Sequence, residues 1–134
     1  KGETINTPSM LCVSDYLDAL NWIETQGGIT NSIEKSRNNL KVLEGFVSQH
    51  DWIDFLTKDK SIRSNTSVCL TLNLADDKVK ELVKLLASEN VAYDIASYRD
   101  APAGLRIWCG ATVEASDLEA LLPWLEWAYQ EVQS

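Results

Sequence analysis

The chain has 134 residues, a mass of 15.0 kDa, a formal net charge of −8 and a pI near 4.5. With 45% apolar and 24% charged residues it has the composition of one globular domain, or part of a larger protein, with enough apolar surface for a sizeable core. The acidic balance argues against nucleic acid and anionic membrane as main partners, and no apolar run approaches the length of a membrane span.

Apolar positions Met10, Val13, Leu17, Leu20 and Ile23 recur at helical spacing and predict a helix over about 8–26, with Pro8 in its first turn and Thr7 as a cap. Gly27 or Gly28 then supplies the left-handed residue that ends it. A second helix follows over about 31–50, with Asn31 and Glu34 at capping-box spacing and Ile33, Leu40, Leu43 and Val47 on one face. Residues 52–56 read as a short strand. In 67–74 a clearer one alternates Val68, Leu70, Leu72 and Leu74 with Ser67, Cys69, Thr71 and Asn73. A third helix covers about 77–89. Residues 91–98 and 105–109 read as strands joined by the turn at 100–104. Ser116 and Glu119 read as a capping box for the last helix, which Pro123 should kink or restart. The order α-α-β-β-α-β-β-α predicts a two-layer α/β (α+β) domain, a small, mainly antiparallel sheet with helices on one face.

Three cysteines, Cys12, Cys69 and Cys109, at wide spacing and without a CxxC read as reduced, packed thiols of a cytosolic protein, and no signal-peptide pattern opens the chain. His50 is the only histidine, so no metal site is expected. A Ser-His-Asp triad built on it is conceivable, but a surface histidine at a helix-to-strand junction is the plainer reading. The first residue is Lys1 rather than Met. The expectation is a piece excised from something longer, although a tag remnant or a processed terminus would explain it too.

Two arginines frame the turn in "SYRDAPAGLRIW". In a strand over 105–109, Leu105, Ile107 and Cys109 face one way and Arg106 and Trp108 the other. Arg106 can then grip a carboxylate with two parallel hydrogen bonds. Arg99 ends the preceding strand beside Tyr98, and the two cations together suit a ligand with two anionic groups. Alternatively, Arg99 pairs with Asp100 or Asp94, and Arg106 with an acid of the last helix. Asn6 and Thr7 precede a helix N-terminus, whose free N–H groups and dipole favour an anion such as phosphate. Thr7 merely capping its own helix is the bland alternative.

The stretches "GETINTPSMLCVSDYLDALNWIETQGG", "RSNTSVCL" and "VAYDIASYRDAPAGLRIWCGATVEASDLEALLPWLEWAY" resemble the C-terminal part of the phosphoserine aminotransferase family, a branch of the class V, fold-type I pyridoxal-phosphate enzymes. The likeness runs from about residue 2 to residue 129. It implies a small C-terminal domain, with 1–28 as an interdomain segment and helix and 29–134 as the α/β core. The large domain that carries the Schiff-base lysine would lie outside this chain. It further implies a cytoplasmic homodimer that exchanges an amino group between glutamate and 3-phosphohydroxypyruvate, yielding 2-oxoglutarate and phosphoserine in serine biosynthesis. Arg106 would hold the substrate α-carboxylate and Arg99 the substrate phosphate. Asn6 and Thr7 would reach across the dimer to the phosphate of pyridoxal 5'-phosphate. No catalytic residue falls within the chain, so alone it should be inactive. Many relatives carry His where this chain has Tyr98. A related alanine– or serine–glyoxylate transaminase, and a stand-alone ligand-binding or interaction module of the same fold, are the competing readings.

Overall fold

The computed structural model describes residues 3–134, which divide into two compact units meeting at Glu34 and Lys35. The first holds helix α1 (Met10–Thr25) and the opening turns of α2 (Gly28–Val47). Ser9, not Thr7, caps α1: its side chain accepts the Cys12 amide at 3.5 Å. Gly27 and Gly28 both take positive φ, 91° and 75°, so the chain reverses there as expected. This early reversal starts α2 before Asn31, whose amide instead donates back to the Gln26 carbonyl. None of the residues of α1 is buried: Met10, Leu17 and Leu20 of its apolar stripe stand exposed, and so does Cys12, which is therefore not the packed thiol expected.

The second unit contains the sheet. Strands β1 (Ile53–Phe55), β2 (Ser67–Leu72) and β3 (Gly104–Trp108) form an antiparallel sheet in the order β1-β2-β3. Alternation puts Ile53, Phe55, Val68, Leu70, Leu72, Leu105 and Ile107 on one face. Leu43 and Phe46 of α2, Leu82 and Leu86 of α3 (Asp76–Ser88), and Leu118, Leu125 and Val132 of α4 (Ala115–Gln133) join them in a single core. The predicted two-layer arrangement, with helices on one sheet face, is the one observed.

Three local expectations differ. Residues 91–98 do not form a strand. Asn90 adopts φ 59° and the Val91 amide donates to Leu86 O at 3.0 Å, so this end of the segment closes the C-terminus of α3. Asp94 turns left-handed as well, at φ 54°, which breaks the extended run. What remains is one bridge, Ala96 to Leu105, with Ser97 N–H to Gly104 O at 3.2 Å and Arg106 N–H to Ile95 O at 2.8 Å. The capping box of α4 is Glu114 with Asp117, not Ser116 with Glu119. The same helix runs unbroken through Pro123, whose exposed position leaves the buried stripe of Leu118, Leu125, Ala128 and Val132 intact.

Buried polar contacts set the loop after β3. Asn39 of α2 is 1% exposed and its side-chain amide donates to the carbonyls of Cys109 at 3.2 Å, Gly110 at 3.3 Å and Val113 at 2.9 Å. Arg63, with a side chain 7% exposed, donates to Glu44 at 3.1 Å and to Thr57 O, and lies 3.7 Å over the Phe55 ring.

Candidate functional site

The outer face of the sheet is where the polar alternates of each strand emerge. Register pairs Cys69 with Arg106 and Ser67 with Trp108, so these four side chains share that face. Gly104 allows β3 to approach: a Cβ there would meet the backbone oxygen of Leu70 at 2.1 Å. The Trp108 indole is seated by Gly110, where a Cβ would meet the ring at 2.4 Å, and by its Nε1–H donating to Thr112 Oγ1 at 3.0 Å.

Arg106 emerges on this face as the sequence predicts, its side chain 27% exposed. Its Nη2 donates to Asp94 Oδ2 at 3.0 Å, and the guanidinium carbon lies 4.6 Å from the centre of the Tyr98 ring. The Tyr98 hydroxyl is 3.2 Å from Ser67 Oγ. That hydrogen bond first, then the Arg106 guanidinium, holds the Tyr98 phenol below its ordinary pKa. Tyr98 is therefore a platform for Arg106. The acid that pairs with Arg106 is Asp94 from the 91–95 loop, not one from the last helix. Its carboxylate is 91% exposed, so solvent screens the pair and it contributes little. A ligand carboxylate that engaged the guanidinium with two parallel bonds would displace it.

Around Arg106 lies a hollow of about 460 Å³, bounded by Asp94 and Ile95 of the loop, Arg106 and Trp108 of β3, and Asp117 and Leu121 of α4. Arg99 is not in it. It lines a separate hollow of about 450 Å³ between α3 and the 96–104 segment. The structure thus does not gather the two arginines around one cavity of this chain, although Tyr98 touches both neighbourhoods, stacking on Arg106 and lining the hollow of Arg99. The expectation that Arg99 ends a strand fails with the loss of the 91–98 strand. It is exposed on a turn and has no ion-pair partner among the described residues, neither Asp100 nor Asp94.

Asn6 and Thr7 belong to the first unit and are exposed, without side-chain hydrogen bonds among the described residues. Because Ser9 caps α1, Thr7 is released from that duty. Their amide and hydroxyl donors match the acceptor oxygens of a phosphate. His50 donates from Nδ1–H to the Phe46 carbonyl at 2.8 Å and packs 4.2 Å from the Phe46 ring, so it is a packing residue without a triad around it. No group of three or more His, Cys, Asp or Glu among the described residues could hold a metal ion, and no helix is long and apolar enough to cross a membrane.

Comparison with known proteins adds the decisive observation. Over 133 residues the chain is 56% identical to the phosphoserine aminotransferases of Methanosarcina mazei and Methanosarcina barkeri, covering 99% of this chain and 36% of each relative. The chain is similar to part of phosphoserine aminotransferase. It spans about a third of the length of the relatives it matches, a C-terminal part, with 36% of each covered. The phosphoserine aminotransferase of Phocaeicola vulgatus is 24% identical over 124 residues, covering 90% of this chain and 34% of that protein. Among solved structures, phosphoserine aminotransferase from Bacillus circulans subsp. alkalophilus superposes with a TM-score of 0.83 at 23% identity, covering 94% of this chain and 34% of the other, which supports the fold. No family model matches.

Proposed function

We propose that the protein carrying this chain is a phosphoserine aminotransferase. It exchanges an amino group between glutamate and 3-phosphohydroxypyruvate, giving 2-oxoglutarate and phosphoserine, as a cytoplasmic homodimer in serine biosynthesis. The observation that carries the reading is the 56% identity over 133 residues to proteins of that name. The posture of Arg106 is consistent with it: a half-buried guanidinium, oriented by Tyr98 and held by one exposed carboxylate that a ligand can replace.

In this reading residues 1–28 are the interdomain segment and helix, 29–134 the α/β core, and the lysine-bearing large domain lies elsewhere. Pyridoxal 5'-phosphate, when bound, supplies the electron sink that labilises the bonds at the amino-acid α-carbon. The residues of this chain bind and orient. Asn6 and Thr7 donate hydrogen bonds to the cofactor phosphate of the opposite subunit. Arg106 fixes the α-carboxylate common to glutamate and phosphoserine, which sets the angle at which the α-carbon is presented. Arg99 meets the phosphate that only one substrate pair possesses. Trp108, seated on Gly110, walls the Arg106 hollow with an apolar surface that strengthens the ion pair inside it.

The test is single-turnover kinetics on each half-reaction of the intact gene product. Arg106→Lys keeps the charge but loses the planar fork, so both half-reactions should slow. Arg99→Ala should spare glutamate and slow phosphoserine by roughly tenfold to a hundredfold in kcat/KM, the equivalent of about 1.5–3 kcal/mol for a charge-assisted contact. Equal losses with both substrates in the Arg99 variant would make that residue structural. The 134-residue chain alone, mixed with pyridoxal phosphate, should show no glutamate-dependent turnover.

A further inference from the structure

The hollow that Arg99 lines also receives Lys80 and Lys84, one turn apart on α3. None of the three cations has an ion pair or a side-chain hydrogen bond among the described residues, and all three side chains are on exposed residues. Arg37 and Lys41 also lack an ion pair among the described residues, but only these three unpaired cations line this hollow together. Lys78, on the same helix, is paired with Glu81 at 3.2 Å. Two lysines at i and i+4 repel and disfavour the helix that carries them. Adding an arginine from the facing turn concentrates the repulsion around one cavity, against which Asp76 is the one acid of the lining. Ser97 and Tyr98 add hydroxyl groups to the wall, and the remaining lining, including Val79, Ala96, Ala103 and Gly104, is apolar. Unpaired cations around one hollow raise the local potential and draw in a compact polyanion.

We propose that Lys80 and Lys84 act with Arg99 as a three-cation phosphate-recognition site, and that they set the preference for the phosphorylated substrate. The assignment rests on the proposed role of Arg99 at that phosphate. Arg99 supplies the planar fork that orients the phosphate oxygens, while the ammonium groups act as point charges that neutralise and steer it. A dianionic phosphate meets three positive charges, whereas glutamate, lacking a phosphate, gains little from them.

The experiment compares Lys80→Ala/Lys84→Ala, Lys80→Arg/Lys84→Arg and Arg99→Ala in the intact gene product. It follows single turnovers with phosphoserine and with glutamate, and inhibition by inorganic phosphate. The double alanine variant should lose tenfold or more in kcat/KM for phosphoserine, stay within twofold for glutamate, and be inhibited more weakly by phosphate. Its phosphoserine rate should also depend less steeply on salt. The double arginine variant should recover most of the loss. If Arg99→Ala is selective for phosphoserine while the double alanine variant behaves as wild type, the lysine assignment is overturned and the role of Arg99 stands. If neither variant discriminates between the substrates, the Arg99 reading falls and the lysine assignment with it. Equal losses with both substrates in the double alanine variant would also overturn the proposal, since a structural role predicts that result.

Discussion

Asn39 offers the sharpest test of how the sheet is held in register with the loop that follows Arg106 and Trp108. Its side-chain amide is the shared donor for three carbonyls, Cys109, Gly110 and Val113, and the residue is 1% exposed. Asn39→Ala removes the donor and leaves the acceptors behind. A net hydrogen bond is worth about 0.5–1.5 kcal/mol, but a buried acceptor left unsatisfied costs about 1–3 kcal/mol. Two N–H groups serve three acceptors, so the bonds are shared, and a total loss of about 3 kcal/mol is expected. That is a large fraction of the roughly 5–15 kcal/mol by which a domain is stable. With a urea dependence of about 1.5 kcal/mol per molar, the unfolding midpoint should fall by about 2 M. Asn39→Asp is the companion variant. An ionised carboxylate facing three carbonyl oxygens has no donor to offer, so its pKa in the folded state rises above the unfolded value. A carboxyl with a raised folded pKa loses stability as pH climbs. The deficit of this variant relative to the parent should therefore be larger at pH 8 than at pH 5. Urea unfolding followed by circular dichroism measures both. A loss below about 0.5 kcal/mol in Asn39→Ala, or a pH-independent deficit in Asn39→Asp, would refute the reasoning.

Gly104→Ala should destabilise by about 1–3 kcal/mol and disturb the β2–β3 register, because its Cβ would lie 2.1 Å from a backbone oxygen that cannot move without breaking the ladder; amide hydrogen exchange at Leu70 and Leu105, which face each other across β2 and β3, reads the effect, and unchanged protection would count against it. Cys109 is fully buried, and burial pushes its thiol up to about 12 from an ordinary 9.0. The unfolded chain releases this proton from about pH 9 while the folded one retains it, so stability should fall by about 1.4 kcal/mol per pH unit between those values; Cys109→Ala should flatten that alkaline limb even though its neutral-pH stability is lower, and an unchanged slope would exclude Cys109 as the cause.

Periodicity alone was enough to place the helices and the two longer strands, because burial of one face imposes a repeat of 3.6 or 2 on the residues themselves. The same alternation in 105–109 correctly turned Arg106 and Trp108 away from the core, and the Gly27–Gly28 pair marked a reversal that only positive φ permits. The resemblance to the phosphoserine aminotransferase family is legible in the sequence motifs themselves. What local pattern could not decide was which backbone groups were already spoken for. Residues 91–98 alternate like a strand, yet the Val91 amide closes α3 and Asp94 turns left-handed, so the segment only brushes β3. From that follows the separation of Arg99 from Arg106, seven residues apart in sequence but lining different hollows. Asn39 gave no signal as a polar residue on an otherwise amphipathic helix, because its three acceptors lie about seventy positions away. Lys80 and Lys84 carry no signal of their own in the helix pattern; it is the segment at 96–104 that makes them line a hollow. Each of these depends on contacts between segments distant in the chain, and the direction of a side chain into a shared cavity is fixed by packing rather than by the residues beside it in sequence.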